Sequence, residues 1–392
     1  MTDRSVSSAG SLKIALICDW FLPQVGGTEM HLRDLALRLR GLGHEVHVIT
    51  SFPGERRVDG IPVHRLNVPL FPRFKLAWTP AVIRKMEALL KEACYDVVHC
   101  HGNIVSPVAY GGAYLLRKLG IPGVITWNSI LGPYRLIFAV LDGVFRWSKW
   151  PILVSGVSEV VAADVKALTG PDAVFVLPAG VDPLDWRVTP VERDANEIWV
   201  VSVMRLYRKK RGKALIKWIP KILRRIPDQV RLKVKIVGEG PDREKMEKWI
   251  ARYGLEQTVE LLGYQTREQI GKIFSRADIF VQPTIWESFG IAALEARSAG
   301  LPVVARREGG IREFVCHGKE GLLAETDGEM VDHLVRLVTD SGQRLSIARH
   351  NRETPPLTGW GQVLSKHLDV YRKAIDLKRN SSKENPEGKV AG

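Results

Sequence analysis

Short apolar runs alternate with helical patterns along most of the chain. Residues 13–18 (KIALIC) and 45–50 (EVHVIT) are apolar runs of strand length, and the segment MHLRDLALRLRGLG between them repeats leucine at helical spacing. This order is typical of a β-α-β unit, which builds a parallel sheet. The alternation continues through DVVHCH, GVITWN, PILVSGVS and AVFVLP. These runs end near Gly, His, Asn or Ser, on the side where open parallel sheets place ligands.

The pattern pauses once and then restarts. A polar stretch from Asp182 to Glu197, with two prolines and mixed charge, indicates a linker. Five further apolar runs follow, interleaved with helices such as DREKMEKWIARYG: IWVVSVM, RLKVKIVG, TVELLG, DIFVQP and LPVVAR. We therefore predict an α/β protein with two Rossmann-like domains, doubly wound around parallel sheets, at residues 1–185 and 186–359. The polar, basic tail at residues 377–392 is predicted to be disordered.

Composition narrows the class of protein and of partner. Hydrophobic residues make up 45% and charged residues 26% of the 392-residue chain, as in soluble globular proteins. The four cysteines show no paired spacing, the amino terminus lacks a signal-peptide core, and no run of 18 apolar residues occurs. These features predict a cytoplasmic protein. The net charge of +14 favours an anionic partner, and no motif indicates nucleic acid.

The segment from Pro283 to Gly310, PTIWESFGIAALEARSAGLPVVARREGG, carries two glutamates eight positions apart, Glu287 and Glu295. Ser288 is predicted to cap the helix that follows, so that its first-turn amides face outward and suit a phosphate. Glu295 presents a carboxylate that complements the 2'- and 3'-hydroxyls of a ribose. Glu287 stays in the loop, closer to the reacting group. An isolated pair of this spacing would be two ordinary glutamates of a surface helix.

The flanking residues resemble a known signature. The loop Glu287-Ser288-Phe289-Gly290, the Ala-rich helix, the run GLPVVA and the final Gly-Gly are similar to the E-x7-E motif of the family 4 retaining glycosyltransferases. Further stretches similar to that family follow one another in the expected order: GGTEMH, DVVHCHG, VLPAGVD, VSVMRL, VGEGP, and GW followed by VYRKA. The resemblance extends over roughly residues 12–375.

This resemblance implies a fold and a reaction. The fold would be GT-B, with two Rossmann-like domains facing a cleft and a last helix, residues 360–376, that returns to the first domain. A sugar would move from a UDP- or GDP-linked donor to a hydroxyl of a glycan or lipid-linked acceptor, with retention of configuration. No metal or other cofactor is implied, because this fold lacks the metal-binding Asp-x-Asp. An epimerase or phosphorylase on the same fold, and a non-catalytic relative that binds nucleotide sugars, remain alternatives.

Basic residues are the next candidates for the site. The run RLYRKKRGK places six cations within nine residues, directly after a predicted strand. In the family, an Arg and a Lys five or six positions later neutralise the donor diphosphate, and Arg205 matches the first. Lys210 and Arg211 both fit the second, with Lys210 favoured because the family residue is an ammonium. Lys210 is therefore predicted to be catalytic with Arg205 and Glu287, and Arg211 to contact the donor.

Other positions follow from the resemblance. The amides of Phe289, Gly290 and Ile291 would orient sugar hydroxyls. Gly26 and Gly27 would open the first helix close to donor phosphates or acceptor, and Gly238 would border the nucleotide base. Many family members have His where this chain has Asn128, and Asn cannot be a general base. Asn128 is still predicted to lie at the catalytic centre on the acceptor side, with His101 as a substitute for the missing His.

Two segments each allow two interpretations. The run His99-Cys100-His101 could suggest a metal site, but no carboxylate or cysteine cluster completes one, so an ordinary strand end is favoured. Residues 134–150, YRLIFAVLDGVFRWSKW, mix apolar bulk with three cations, which fits either a helix at a membrane interface or one packed between domains. The first interpretation, together with the basic charge, predicts peripheral association with the inner face of an anionic membrane.

Overall fold

A computed structural model of the chain describes residues 10–70, 77, 79–170 and 174–384. For residues 381–384 it describes the backbone alone. The chain divides into two units. The first comprises Met1–Pro178 and Gly361–Gly392, and the second comprises Ala179–Trp360. Among the described helices, none combines the length and the apolar content needed to cross a membrane.

The first unit contains a parallel sheet flanked by helices. Within the described residues the sheet has eight strands in the order β3-β4-β2-β1-β5-β6-β7-β8, and only the short β3 runs antiparallel to its neighbour. The elements are β1 (Lys13–Cys18), α1 (Gly27–Gly41), β2 (Glu45–Thr50), β3 (Arg57–Val58), β4 (Ile61–Arg65), α2 (Pro80–Ala93), β5 (Val97–Gly102), α3 (Pro107–Leu119), β6 (Gly123–Trp127), α4 (Arg135–Phe145), β7 (Leu153–Gly156), α5 (Glu159–Thr169) and β8 (Val174–Val176).

The second unit repeats this plan with a smaller sheet. Six parallel strands of the described chain follow the order β11-β10-β9-β12-β13-β14. The elements are β9 (Glu197–Val203), α6 (Gly212–Leu223), β10 (Arg231–Val237), α7 (Arg243–Arg252), β11 (Val259–Gly263), α8 (Arg267–Phe274), β12 (Ile279–Gln282), α9 (Ile291–Ser298), β13 (Val303–Arg306), β14 (Gly321–Ala324), α10 (Asp327–Thr339) and α11 (Ser341–Glu353). The last helix, α12 (Trp360–Glu384), belongs to the first unit from Gly361 onward.

Each sheet contains a point where the strand order reverses, and these points position the candidate sites. In the first unit β1 pairs with β2 on one side and β5 on the other. In the second unit β9 lies between β10 and β12 in the same way. Because loops diverge at the carboxyl ends of such strand pairs, a crevice for ligands forms there. The loops that follow β1, β5, β9 and β12 are therefore the ones to inspect.

Apolar packing explains why these runs become central strands. In β1, the residues Ile14 to Ile17 are completely buried, as expected for a parallel strand covered by helices on both faces. In the second unit the apolar face of α6, including Trp218, packs into one core with residues of β9, β10 and α10. The hydroxyl of Tyr371 in α12 forms a hydrogen bond with Nδ1 of His99 in β5 at 2.8 Å, which anchors the final helix to the first sheet.

Two parallel-sheet α/β domains were predicted, and the fold class is confirmed. The described boundaries differ from the expected ones, since the first unit ends at Pro178 instead of residue 185. The disordered tail predicted from residue 377 is wrong for residues 377–384, which continue α12, because that helix extends well beyond the expected residue 376. Residues 385–392 lie outside the described residues. Strands β3, β4 and β14 were not predicted, since their runs are short.

Candidate functional site

An ion pair lies at the carboxyl edge of the second sheet. The Lys210 ammonium is 2.6 Å from Oε2 of Glu287, in the loop that follows β12. Gln282, the last residue of β12, donates from Nε2 to the same carboxylate oxygen at 2.7 Å. In the described part of the chain both contacts fall on Oε2, which leaves Oε1 for a substrate hydroxyl. Two of the three residues predicted to be catalytic in this unit are thus brought together.

A glycine turn holds the backbone of the same loop. The amide of Gly310, just after β13, donates to the carbonyl oxygen of Glu287 at 2.9 Å. The side chain of Glu287 is therefore attached to a backbone fixed from β13 and is held by β12 through Gln282. Neighbouring strands of the sheet, rather than the loop itself, set the position of the carboxylate.

The helix after this loop begins differently from the expectation. Ser288 was predicted to cap it, but α9 begins at Ile291 and its N-cap is Gly290, which makes no side-chain capping bond. Gly290 has φ +93°, and an added Cβ would lie 2.6 Å from Ile311, so only glycine fits this turn. Because a Gly cap contributes no side-chain oxygen, the first-turn amides keep their capacity to bind an anion.

Phe289, just before α9, and Glu295, within it, differ in burial. Phe289 is buried and packs against Phe314, with ring centroids 5.5 Å apart. Glu295 lies in the second turn and is half-buried, between the fully buried Leu294 and Ala296. The helix thus presents Glu295 from a face that is otherwise packed into the unit, while Ile291 at its start is half-buried.

Arg205 lies at the strand reversal of the second sheet. It follows Met204 at the end of β9, next to the loop after β10 that contains Gly238. An added Cβ on Gly238, which has φ +129°, would lie 1.9 Å from the carbonyl oxygen of Met204. The two predicted donor residues, Arg205 and Gly238, are therefore on loops in direct contact. Glycine at 238 permits that approach.

The predicted basic run divides into residues with different partners. Arg211 bonds in a bidentate manner to Asp327, at 2.7 and 3.0 Å, and also donates to the carbonyl oxygen of Pro283 at 3.2 Å. This hydrogen bonding lowers the pKa of Asp327. Arg306 of β13 bonds to the same carboxylate at 3.1 Å. Arg211 is thus engaged in a structural network, whereas its neighbour Lys210 bonds to Glu287.

In the first unit, Asn128 directly follows β6 and is half-buried. Its side-chain amide donates to the carbonyl oxygens of Gly102 at 3.2 Å and Thr126 at 3.4 Å. Its carbonyl oxygen Oδ1 is therefore the side-chain group suited to accept a bond from a substrate hydroxyl. Beside it, Ser129 donates to Asn103 at 3.2 Å. This edge of the first sheet offers neutral hydrogen-bonding groups.

His101 belongs to a buried cluster of four histidines, which we call the histidine cluster: His31, His99, His101 and His367. The rings of His99 and His101 lie 4.0 Å apart. His99 bonds to Tyr371 and Thr126, whereas the ring nitrogens of His101 have no hydrogen-bond partner among the described residues. Burial lowers the pKa of all four, to about 3 for His31 and about 4 for His367. The enclosed His101 fits the strand-end interpretation.

Asp19 is a site-edge residue that the sequence analysis missed. It follows β1, is buried, and accepts from the amide of Val108 at 3.0 Å, so it caps α3. Burial raises the pKa of its carboxyl to about 7. An acidic residue directly after an apolar run was the available signal. The glycines after it behave as expected, since α1 begins at Gly27 with Gly26 as its N-cap.

Among the described residues, no group of three or more His, Cys, Asp or Glu side chains is arranged to hold a metal ion. The run His99-Cys100-His101 contributes only two rings of the histidine cluster, tilted by 35° to each other, and a buried thiol whose pKa is raised by burial.

Comparisons with known proteins match this arrangement of two units. The model of the family described as Glycosyltransferase Family 4 matches residues 25–184. The model described as Glycosyl transferases group 1 matches residues 189–354. Together they span most of the chain, and their junction lies close to the beginning of the second unit.

Individual relatives extend over nearly the whole chain. The phosphatidylinositol N-acetylglucosaminyltransferase gpi3 subunit of Schizosaccharomyces pombe is 25% identical over 91% of this chain and 79% of its own length. The D-inositol 3-phosphate glycosyltransferase of Pseudarthrobacter chlorophenolicus is 27% identical over 90% of this chain and 91% of its own. The structure of Anabaena HepE in complex with UDP-glucose has a TM-score of 0.71 and 22% identity, and the match covers 95% of this chain and all of that chain. The fold is that of the GT-B glycosyltransferases.

Proposed function

The chain belongs to the group 1, family 4 glycosyltransferases, and on that premise we propose that it transfers a sugar from a nucleoside diphosphate sugar to a hydroxyl with retention of configuration. The proposed donor carries UDP or GDP, and the sugar is a hexose or an N-acetylhexosamine. Glycosyl transfer is the activity of the family. The donor class, the stereochemistry and the residues that act are parts of this proposal.

The observation that carries the proposal is the Lys210–Glu287 ion pair at the reversal point of the second sheet. A departing nucleoside diphosphate develops negative charge, and a cation already held nearby stabilises it without reorganisation. We propose that Lys210 supplies this cation together with Arg205. Lys210 is preferred over Arg211 because Arg211 is already engaged with Asp327 and Pro283.

Around this pair, the remaining groups receive complementary roles. The first-turn amides of α9 bind donor oxygens, because the N-cap residue, Gly290, has no side chain to cap them. Glu295 accepts from the two ribose hydroxyls. Glu287 uses Oε1 to hold a sugar hydroxyl while Oε2 stays with Lys210 and Gln282.

In a transfer with retention of configuration, the leaving phosphate receives the proton of the acceptor hydroxyl. Asn128 cannot act as a general base, and the histidine cluster is enclosed, so the departing phosphate oxygen takes the proton on the face where the new bond forms. Asn128 then orients a hydroxyl through Oδ1. This proposal accounts for catalysis without a histidine at position 128.

The acceptor is proposed from what two relatives share. The names of both the yeast and the bacterial relative contain an inositol that bears phosphate, as phosphatidylinositol in one and D-inositol 3-phosphate in the other. We propose an inositol phosphate or a lipid that carries one. Its negative charge matches the chain's net charge of +14. A lipid-linked acceptor would bring the enzyme to a membrane surface.

The test is an activity screen with product analysis. UDP- and GDP-linked glucose, N-acetylglucosamine and mannose are each incubated with phosphatidylinositol or inositol phosphate, and the product's anomeric configuration is determined by NMR. We expect one donor to give a product with retained configuration, and Glu287→Ala to lower kcat more than donor affinity. An inverted product, or an unchanged kcat in Glu287→Ala, contradicts the proposal.

One observation favours a second candidate. The side-chain amide of Asn128 is bonded to backbone carbonyls at a position where many family members carry His, which suits a non-catalytic relative that only binds nucleotide sugars. Binding of a nucleotide sugar without any product would support it. An epimerized donor would instead indicate an epimerase, and a sugar phosphate formed with inorganic phosphate would indicate a phosphorylase.

A further inference from the structure

Helix α4 exposes an unusual amount of apolar surface. Leu136, Val140 and Val144 are 76%, 61% and 69% exposed. Three further large apolar side chains of the same helix are also exposed: Ile137, Leu141 and Phe145. Only Phe138 is buried among the residues of α4. Single exposed apolar residues are ordinary, but a contiguous patch of this kind marks an interaction surface.

Five of these six exposed residues lie on one side of the helix, and the sixth, Phe145, is the last residue of the helix and lies on the side of Phe138. Leu136, Val140 and Val144 recur every fourth residue, and Ile137 and Leu141 each follow one position later, so half of the helix surface is apolar. Phe138 lies on the opposite side and packs against Trp127, with ring centroids 5.0 Å apart. The apolar side of the helix, which would be expected to face a core, therefore faces outward.

Both ends of α4 are fastened to the first unit. At its start, Asp164 of α5 accepts from the amides of Leu131 and Gly132, at 2.6 and 3.1 Å. At its end, the ring of Trp147 packs against that of Trp127 in β6, with centroids 5.6 Å apart. A helix that is held in this way keeps its apolar side outward as a fixed surface.

Cations and aromatic residues follow the end of this helix. Between residues 131 and 151 the chain has three cations and, in Asp142, one carboxylate. Arg135 lies on the other side of the helix by its spacing and pairs with Asp164 at 3.5 Å, whereas Arg146 and Lys149, after the helix, are exposed. Arg117 of α3 lies over the ring of Trp150, 5.7 Å from its centroid. Tyr and Trp with neighbouring Arg and Lys are typical of the boundary between lipid headgroups and acyl chains.

We propose that α4 docks the protein on an anionic lipid surface, with the helix lying in the plane of the interface. The apolar side enters the boundary of the acyl chains, and the bordering cations bind acidic headgroups. Eleven residues of helix extend about 16 Å, roughly half of a hydrocarbon core, so α4 lies on the membrane instead of crossing it.

A second copy of the chain fits this surface less well. In a symmetric dimer the same patch would face itself, so Arg146 and Lys149 would be brought close to their own copies. An anionic bilayer satisfies both the apolar side and the cations. This charge complementarity selects the lipid surface as the occupant.

Vesicle flotation tests the proposal without donor or acceptor, so its outcome does not depend on the proposed reaction. The full-length protein is mixed with vesicles of phosphatidylcholine alone or of phosphatidylcholine with phosphatidylglycerol. We expect binding to the anionic vesicles that weakens with added salt. Leu136→Ser/Val144→Ser should lower the partition coefficient at least about tenfold, because two apolar side chains no longer enter the lipid.

Two matched variants sharpen the result. Leu357→Ser removes an equally exposed leucine of the second unit and should leave vesicle binding unchanged. Arg146→Asn/Lys149→Gln should abolish the preference for anionic over neutral vesicles; Asn suits residue 146, which has φ +50°. Circular dichroism and thermal unfolding verify that each variant is folded. Equal binding by the wild type and Leu136→Ser/Val144→Ser overturns the proposal, as does a wild-type dimer that this double variant converts to a monomer.

Discussion

The carboxyl edges of the two sheets have the same topology, but one carries ion pairs and the other carries enclosed side chains whose charge is disfavoured. In the second unit the edge carries half-buried ion pairs, Lys210 with Glu287 and Arg211 with Asp327. In the first unit it carries enclosed groups whose charged forms burial disfavours, since burial lowers the pKa of His99 and His101 and raises that of Asp19 to about 7. A parallel sheet thus provides the location of a site, and the residues in its loops decide whether that site offers charged or neutral binding groups.

This contrast has a direct consequence for the two ligands of the proposed reaction. A nucleoside diphosphate requires cations already held where its negative charge develops, and the second unit offers Lys210 and Arg205 for this role. A hydroxyl that accepts a sugar requires neutral hydrogen-bonding groups, which Asn128 and Ser129 provide in the first unit. The two units should therefore respond differently to acid and to substitution.

The largest expected difference is in stability at low pH. Each histidine of the histidine cluster has a folded-state pKa below its unfolded value of 6.5, so unfolding takes up protons and stability falls as the pH decreases from 6.5 toward 4. Asp19 acts in the opposite direction, because its pKa rises from 3.8 to about 7. Near pH 5, unfolding takes up about four protons at the histidines and releases about one from Asp19, a net uptake of about three. This uptake changes the free energy of unfolding by about 4 kcal/mol per pH unit.

Hydrogen exchange measured by mass spectrometry can follow each unit separately. Peptides from β5 and α12 should lose protection between about pH 6.5 and pH 5, before peptides from β12 and α9 do. Intrinsic exchange rates, which also vary with pH, must be corrected for. Equal loss of protection in both units would show that the histidine cluster does not control the first unit.

The next effect concerns the charged edge. Lys210→Met removes the cation from Glu287 and from the departing diphosphate, so kcat should fall by about 10² to 10³, or roughly 2.7 to 4 kcal/mol. The adjacent, exposed Lys209→Met is the control and should change kcat less than about twofold. Initial rates with the active donor provide the measurement. If both variants lose activity equally, the general basic charge matters and the ion pair does not.

Glu295→Ala should have a smaller effect that is confined to binding. Loss of a charged hydrogen-bond acceptor for the ribose costs about 1.5 to 3 kcal/mol, so donor affinity should weaken at least about tenfold. Titration calorimetry with UDP and GDP measures this, with the exposed Glu256→Ala of the same unit as control. Donor affinity that is unchanged in Glu295→Ala would falsify the ribose role.

The smallest predicted effect belongs to Gln282. In Gln282→Leu the Glu287 carboxylate keeps Lys210 and loses the amide that bonds to it at 2.7 Å. A hydrogen bond to a charged group contributes about 1.5 to 3 kcal/mol, but Lys210 still holds the carboxylate, so we expect only part of this loss to appear, as a decrease in kcat of about fivefold with little change in donor affinity. Steady-state kinetics together with calorimetry separate the two quantities. A change in donor affinity alone would mean that Gln282 binds the donor instead of positioning Glu287.

Much of the site was predictable at the level of residues, and less of it at the level of contacts. The loop with Glu287 and the helix with Glu295 were identified because the residues that flank them resemble a family signature. The capping role of Ser288 was wrong because Gly290 adopts a left-handed conformation that begins the helix later. Gln282 was missed because nothing local distinguishes a buried polar residue at a strand end from one facing solvent. Asp19 was missed although its position directly after an apolar run was a signal.

The sequence by itself determined the two parallel-sheet units, the family and the order of the candidate residues, because hydrophobic periodicity and glycine positions are local properties. Tertiary structure alone decided that Lys210 and not Arg211 reaches Glu287, that four histidines converge in one core, and that the apolar side of α4 faces outward. These facts depend on side chains that are distant along the chain. Their partners are set by strand order and helix packing, which residue patterns along one segment do not specify.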